Sequence, residues 1–213
     1  MGKVYLSEFA NPILVDYLKK LGYETSFVFA SPPTFSSVSA HPDVYLCKLG
    51  FRKVFYGKPD TVGPDYPDNA KYNAVCMGKY FIHKLDITGE ELLSDARYHG
   101  KVLINVPQAY TKCNMVILHD KAAITSDLGI AKALEETDID LLTIAPGYVL
   151  LKGFPHGFIG GTSGLVGDRM IFHGNLPAHP DFERIRQFFE KHRCHFVYFE
   201  EFELEDIGSI IEF

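Results

Sequence analysis

The sequence predicts an α/β protein: a ring (α/β propeller) of about five hairpin-containing units, with pseudo-fivefold symmetry around a central cleft, as one domain over residues 1–213. Three observations predict it. Five segments share a pattern, opening on a small polar residue and continuing as an apolar strand; they start at Asp43, Asn73, Asn114, Ser163 and Asp206. Their starts are offset by 30, 41, 49 and 43 residues, a period that marks repeat architectures. Helical stretches bounded by cap residues alternate with most of these segments. The composition agrees, since 46% hydrophobic and 23% charged residues over 213 positions describe a folded globule. Seventeen Phe and twelve Tyr, with no Trp, supply much of its core.

In chain order, KVYLS is a strand that a ring would place beside the C-terminal SIIEF, closing the structure and removing exposed edges. Asn11 as cap and Pro12 at the first helical position open ILVDYLKKL, which Gly22 closes. TSFVF follows as a strand. The first hairpin runs from Asp43 and turns at Gly50. The Pro/Asp/Gly-rich stretch 57–72 stands where a helix is due, and reads as a long ordered loop: a lid, or a partner-binding segment carrying Tyr66 and Tyr72. A second hairpin runs from Asn73 and turns at Gly78. Thr88 with Glu91 spells a capping box before ELLSDARYH, closed by Gly100, with KVLINV as the next strand. The third hairpin, from Asn114, turns at His119-Asp120; Asp127 then caps LGIAKALEE, and DLLTIA follows. The fourth, from Ser163, turns at Gly167-Asp168. Pro180 begins a helix whose Phe182, Ile185, Phe188 and Phe189 share one face, ahead of the strand HFVYF.

Charge and motif content exclude several functions. The net charge of −6 argues against a nucleic-acid or anionic-membrane surface. No targeting segment is expected; Leu6 stands where a myristoylation signal needs Ser or Thr, and the apolar run 141–151 is too short and interrupted to span a membrane. Four cysteines without CxxC spacing suggest neither zinc nor disulfides. A soluble, cytoplasmic protein with no metal and no cofactor is the expectation; the oligomeric state is left open.

Three features could carry chemistry. Cys113 lies at the mouth of the third hairpin, and the adjacent Lys112 could hold its thiol ionised; the plain alternative is a small buried hydrophobe. His41-Pro42-Asp43 opens the first hairpin, where strand alternation would aim both side chains at one cleft, the His moving protons and the carboxylate orienting it. Gly160-Gly161-Thr162-Ser163-Gly164 could form an anion-binding nest or simply a tight turn. It has neither P-loop nor Rossmann spacing. Gln108, Tyr110 and Asn73 are hydrogen-bonding candidates for the cleft, and His156 could reach it. His83, His119 and His173 are expected at the surface, and Cys47, Cys76 and Cys194 are read as structural. If the repeats are true, Asp43, Asn73, Asn114, Ser163 and Asp206 converge on one axis.

The segments QAYTKCN (108–114), AITSDLGI (123–130) and GFIGGTSG (157–164), set in this fivefold pattern, resemble a bacterial family of uncharacterised activity with the pentein fold of guanidino-group modifying enzymes. In those enzymes a His-x-Asp element is followed two repeats later by a nucleophilic Cys, matching His41-x-Asp43 and Cys113. They carry that Cys in the final repeat, whereas here the final repeat reads LEDIGS (204–209). Their guanidinium-binding carboxylate would fall at Thr162 or Ser163, so Asp206 would substitute. The resemblance implies a small polar ligand with a guanidinium, amidine or amide group. It also implies a Cys-dependent hydrolase or deiminase: Cys113 attacks, His41 moves protons, Asp43 and Asp206 hold cationic nitrogens, and Lys112 keeps the thiol ionised. The alternative is a non-catalytic pentein ring that binds a ligand or a protein.

Overall fold

The computed structural model describes residues 2–32, 34, 37–50 and 53–213. Strand β1 (Lys3–Ser7) leads through α1 (Pro12–Lys20) to β2 (Glu24–Val28), which lies parallel to β1. Asn11 Oδ1 accepts the Ile13 N–H at 3.0 Å, satisfying a donor the first helical turn leaves free. The chain leaves α1 through Gly22 at φ 84°, where a Cβ would be strained. Leu14, Val15 and Leu18 fall on one face of α1 and are buried with Val4 and Leu6 of β1.

A single turn, α2 (Pro42–Tyr45), opens the first hairpin, β3 (Leu46–Gly50) and β4 (Lys53–Tyr56). The next two units repeat one plan, in which two antiparallel strands are followed by a helix and a third strand parallel to the second. They are β5 (Val75–Met77), β6 (Tyr80–His83), α3 (Glu90–Tyr98) and β7 (Val102–Asn105), then α4 (Thr111–Asn114), β8 (Met115–His119), β9 (Ala122–Thr125), α5 (Leu128–Leu134) and β10 (Asp140–Thr143). The fourth unit holds β11 (Ser163–Val166), β12 (Arg169–Phe172), α6 (Phe182–Lys191) and β13 (His195–Val197). The fifth is stitched from both ends of the sequence: β14 (Ile211–Glu212) pairs antiparallel with β1. Order β14-β1-α1-β2 is thus the same plan again.

Strands β3, β5, β8, β11 and β14 are neighbours in that order around an axis. Closure between β14 and β3 is seen in the Lys48–Glu212 ion pair at 3.7 Å, the Tyr5–Tyr56 hydroxyl contact at 2.9 Å and the Asp43 N–H bond to Gly208 O at 3.1 Å. Helices lie outside, and the core fills the space between them and the sheets, as where Phe172, Ile185 and Phe189 are fully buried together. The predicted mixed α/β ring of five small sheets is therefore the observed architecture. The stretch 57–72 stands in for the missing helix and strand of the first hairpin; short turns at Pro59–Thr61 and Asp68–Ala70 and a Thr61–Tyr72 hydroxyl contact at 2.7 Å hold it in place.

Three expectations are corrected. Thr88 does not cap α3, whose cap is Gly89; its hydroxyl instead contacts His83 Nδ1 at 2.8 Å and donates to Lys84 O. Helix α6 begins at Phe182 behind Asp181, two residues after Pro180. His83 and His173 are fully buried rather than exposed. His83 ends β6 and His173 follows β12, and each ring ties two loops together: His83 to Ala109 O and Thr88, His173 to Glu205 O and the Asn11 N–H. His119 is exposed as expected.

The closeness of the axis strands makes a testable point. A Cβ on Gly164 would overlap the Ile210 carbonyl, a backbone atom that cannot swing aside. Gly164→Ala is expected to cost about 3 kcal/mol and lower the melting temperature by roughly 6–12 °C. Gly22→Ala, with open space around it but φ 84°, should cost only about 1 kcal/mol by the same thermal melt. Equal effects for the two would contradict the close β11–β14 approach.

Candidate active site

The site is built from three short turns that lie where the axis strands begin. His41 precedes a proline, which keeps it extended (φ −74°, ψ 121°), and Pro42 then starts the α2 turn. His41 and Asp43 therefore converge through a helical turn, not through the strand alternation expected from sequence. The α4 turn presents Cys113. A third turn, 206–209, passes through left-handed φ at Gly208 (72°) and Ser209 (74°). A Cβ on Gly208 would overlap His41, so glycine is required for this turn to dock there.

These turns bring the predicted trio together. A ring nitrogen of His41, a carboxylate oxygen of Asp43 and Cys113 Sγ all lie within 4.8 Å of one another, and all three residues are buried. The Cys113 thiol donates to Asp43 Oδ2 at 2.9 Å. Asn73 grips the same cysteine twice: its Oδ1 accepts the Cys113 N–H at 3.1 Å and its Nδ2 donates to Sγ at 3.3 Å. Asp206 lies beyond the imidazole, Oδ1 to His41 Nδ1 being 3.8 Å, and accepts the N–H groups of Phe158 and Gly208 at 3.0 Å each. Asp43 Oδ1 is buried and finds no hydrogen-bond partner among the described residues.

Burial dominates the electrostatics. It pulls His41 down to about 4 against the pull of Asp43, so the imidazole is neutral at physiological pH. It raises Asp43, with Asp206 adding to the rise and His41 opposing it, and raises Asp206 to about 6 against its two backbone donors. The Cys113 thiol is pushed well up, first by burial and then by the charges of Asp43 and Asp206. Lys112 does not offset this. Its amine points away to Gly160 O at 3.0 Å, Ser209 Oγ at 3.1 Å and Met115 O at 3.4 Å, and burial lowers its own pKa. The resting cysteine is a thiol whose proton already rests on a carboxylate. His41, Asp43 and Cys113 are also the group, among the described residues, with donor atoms close enough to share a metal ion.

His41 and Cys113 of the trio line a cleft of about 590 Å³ together with Asp206 and with Asp65, Tyr66 and Asn69 of the 57–72 stretch, which thus forms a wall; Asp43 lies behind them. Tyr66, Tyr110 and Phe158 make an aromatic series across it, with ring centroids 5.4 and 6.4 Å apart. Gln108 lines the cleft with its side chain engaged by Asp127 and the Tyr110 N–H, and His156 lines it too. The remaining candidates are buried near the axis but turn inward on their own loops. Asn114 Nδ2 donates to Tyr110 O, Thr162 Oγ1 to Ile159 O and Ser163 Oγ to Gly160 O. Gly161 offers no free amide nest, since its N–H donates to Phe158 O; a Cβ there would overlap the Asp206 carboxylate. All five repeat-opening residues are buried, yet only Asp43, Asn73 and Asp206 turn toward the trio. At the other end of the axis the strands surround a second, largely apolar cavity of about 620 Å³ reached by Lys48, Lys112 and Cys76. Cys47 is buried, and Cys194 is free and half-buried. Sequence reading missed Ser209, whose hydroxyl donates to Asp43 Oδ2 at 2.6 Å. The Gly208-Ser209 pair was its one trace.

No helix among the described residues is long and apolar enough to cross a membrane. No curated protein matches the sequence. Among solved structures, the chain is similar to a dimethylarginine dimethylaminohydrolase determined as an adduct with 4-chloro-2-hydroxymethylpyridine. The TM-score is 0.55 over 94% of this chain and 93% of that one, at 8% identity. That likeness is one of fold, and it is the pentein fold. At the level of sequence, residues 56–211 match a family of unknown function (DUF6873), and the chain belongs to that family.

Proposed function

We propose that the protein is a Cys-dependent hydrolase of a C–N bond in a small guanidino- or amidino-type cation, with Cys113 as nucleophile. The observation that carries this reading is the seating of the Cys113 thiol on Asp43 Oδ2 at 2.9 Å, with Cys113 lining the cleft and Asp43 Oδ1 buried and unpartnered behind it among the described residues. A planar substrate with two N–H groups would satisfy that oxygen and Asp206 while placing its carbon over Sγ. A carboxyl raised by burial is also a better proton acceptor than an ordinary one.

The steps balance as follows. Sγ bonds to the planar carbon as the thiol proton passes to Asp43. The C–N bond breaks as the departing amine takes that proton back. Water then adds to the carbon and gives one proton to neutral His41; the C–S bond breaks as the sulfur takes that proton from His41, and the new hydroxyl loses its proton to solvent to leave a neutral urea or amide. Fold similarity to a dimethylarginine dimethylaminohydrolase supports this choice of substrate class over others. The competing reading, a ring that binds without catalysis, draws on the high thiol pKa and on Cys113 being only 3% exposed.

One experiment separates them. The protein is incubated with 4-chloro-2-hydroxymethylpyridine and, separately, with a panel of guanidino and amidino compounds. Intact mass and ammonia or amine release are then followed. Chloride-displacing modification of peptide 113–121 together with turnover of a panel member supports the hydrolase. A protein that neither modifies at Cys113 nor releases amine is a binding module.

A further inference from the structure

We propose that Ser209 is a positioning residue of this site, fixing the Asp43 carboxylate against Cys113 and coupling it to Lys112 on the far side of the ring axis. The inference rests on Cys113 being the reactive group. The argument begins with the backbone. Ser209 is a residue outside helix and strand held at φ 74°, a conformation that glycine adopts freely and serine adopts at a cost. Gly208, immediately before it, already supplies one left-handed residue to the turn. A second glycine would relax the backbone, so the serine stands here against the local preference.

Its side chain shows what is gained. Ser209 is fully buried, and its hydroxyl donates to Asp43 Oδ2 at 2.6 Å while the Lys112 ammonium donates to its oxygen at 3.1 Å. Asp43 Oδ2 is the same atom on which the Cys113 thiol rests. The result is a continuous chain, Lys112 to Ser209 to Asp43 to Cys113. It runs from the cavity that Lys112 lines to the cleft that Cys113 lines. The Ser209 N–H, bound to Gly161 O at 2.8 Å, fixes the turn from behind. Ser209 touches neither cavity, so it acts through Asp43. The charged or titratable groups facing this pair are His41, Asp206, Lys112, Tyr110 and Cys47.

A hydroxyl donating to Oδ2 stabilises negative charge on the Asp43–Cys113 pair, whichever atom carries it. Losing it should move thiolate formation to higher pH. The test compares Ser209→Gly with Ser209→Ala, both lacking the hydroxyl. Glycine relieves the backbone strain and alanine keeps it, so the glycine variant should melt at the higher temperature of the two. The reactivity readout is the rate of iodoacetamide labelling of Cys113 across pH, followed on peptide 113–121, in which it is the only cysteine. Both variants are expected to label about tenfold more slowly at neutral pH, with the midpoint shifted up by about one unit, despite their different stabilities. Labelling of the glycine variant like the wild type, or labelling that follows melting temperature across the pair, overturns the positioning role and leaves only a structural one. Wild-type Cys113 that fails to label at any pH overturns the proposed hydrolase and this role together.

Discussion

Cys113→Ser is expected to lower turnover of any guanidino or amidino substrate by at least about a thousandfold while leaving the fold in place. The substitution is nearly isosteric, and each neighbour of the sulfur has a use for a hydroxyl. Asp43 Oδ2 can accept the O–H as it accepts the S–H, and Asn73 Nδ2 can donate to either atom. What changes is the nucleophile. A serine hydroxyl ionises far less readily than even this burial-raised thiol, and a carboxylate is a weak base toward it. The measurement is paired: steady-state amine release, and thermal melting within a few degrees of wild type. A serine variant that keeps a tenth or more of the activity at unchanged stability would remove Cys113 from the chemistry.

The second large effect is on stability and comes from His83 and His173. Burial lowers each of them from the ordinary 6.5 to about 4, because a charged imidazole would lose its water while bridging two loops. In the unfolded chain both would take up a proton near pH 6.5, whereas the folded protein refuses it until about pH 4. The unfolded state therefore binds more protons over this window, and folding stability drops as pH falls through it. Each residue accounts for on the order of 3 kcal/mol across the full window. Together they are comparable to the whole stability of many domains.

His41 and Asp206 together add little to this slope. His41, also lowered to about 4, destabilises the fold toward acid over the same range. Asp206, raised to about 6, holds a proton that its unfolded counterpart has lost and so pulls the other way. Urea denaturation at pH 7 and pH 4.5 should show the loss, and His173→Gln should flatten the acid slope by about one proton. A stability independent of pH between 6.5 and 4 would refute the neutral, buried assignment.

Much of the ring is legible in the sequence because its information is local. Asn11 and Asp127 cap the helices read from them, the latter accepting the Ile130 N–H at 2.8 Å, and the polar-then-apolar pattern marks the beginning of all five axis strands. The trio is legible because His41, Asp43 and Cys113 sit at or beside the polar openings of the first and third repeats, which meet in the structure. What could not be read depends on distant partners. Thr88 satisfies the spacing of a capping box, but His83 competes for its hydroxyl. Lys112 adjoins Cys113 in sequence, yet neighbours on a helical turn point about 100° apart. Here that angle sends the amine to the opposite cavity. The glycines of 160–164 look like a ligand loop; in the structure Gly160 and Gly161 make room for the backbone of Lys112 and Met115 and for Asp206. Ser209 has only the preceding Gly208 as a trace in the sequence, because its side-chain partners Asp43 and Lys112 come from the first and third units.

That distance between partners has a kinetic consequence. Asp43 is 70 residues from Cys113 and 166 from Ser209 along the chain, whereas the strand pairs of each hairpin are separated by only a few residues. Joining such distant segments means losing chain entropy before any contact rewards it, so pairings of this kind lag behind local ones. Hairpins and their crossover helices can form piecemeal; the site cannot. Its carboxylate, thiol and hydroxyl meet only when the fifth unit, assembled from both ends of the sequence, meets the first. The Cys113 thiol and the Asp43 carboxylate are in this way brought together in the same event that completes the ring.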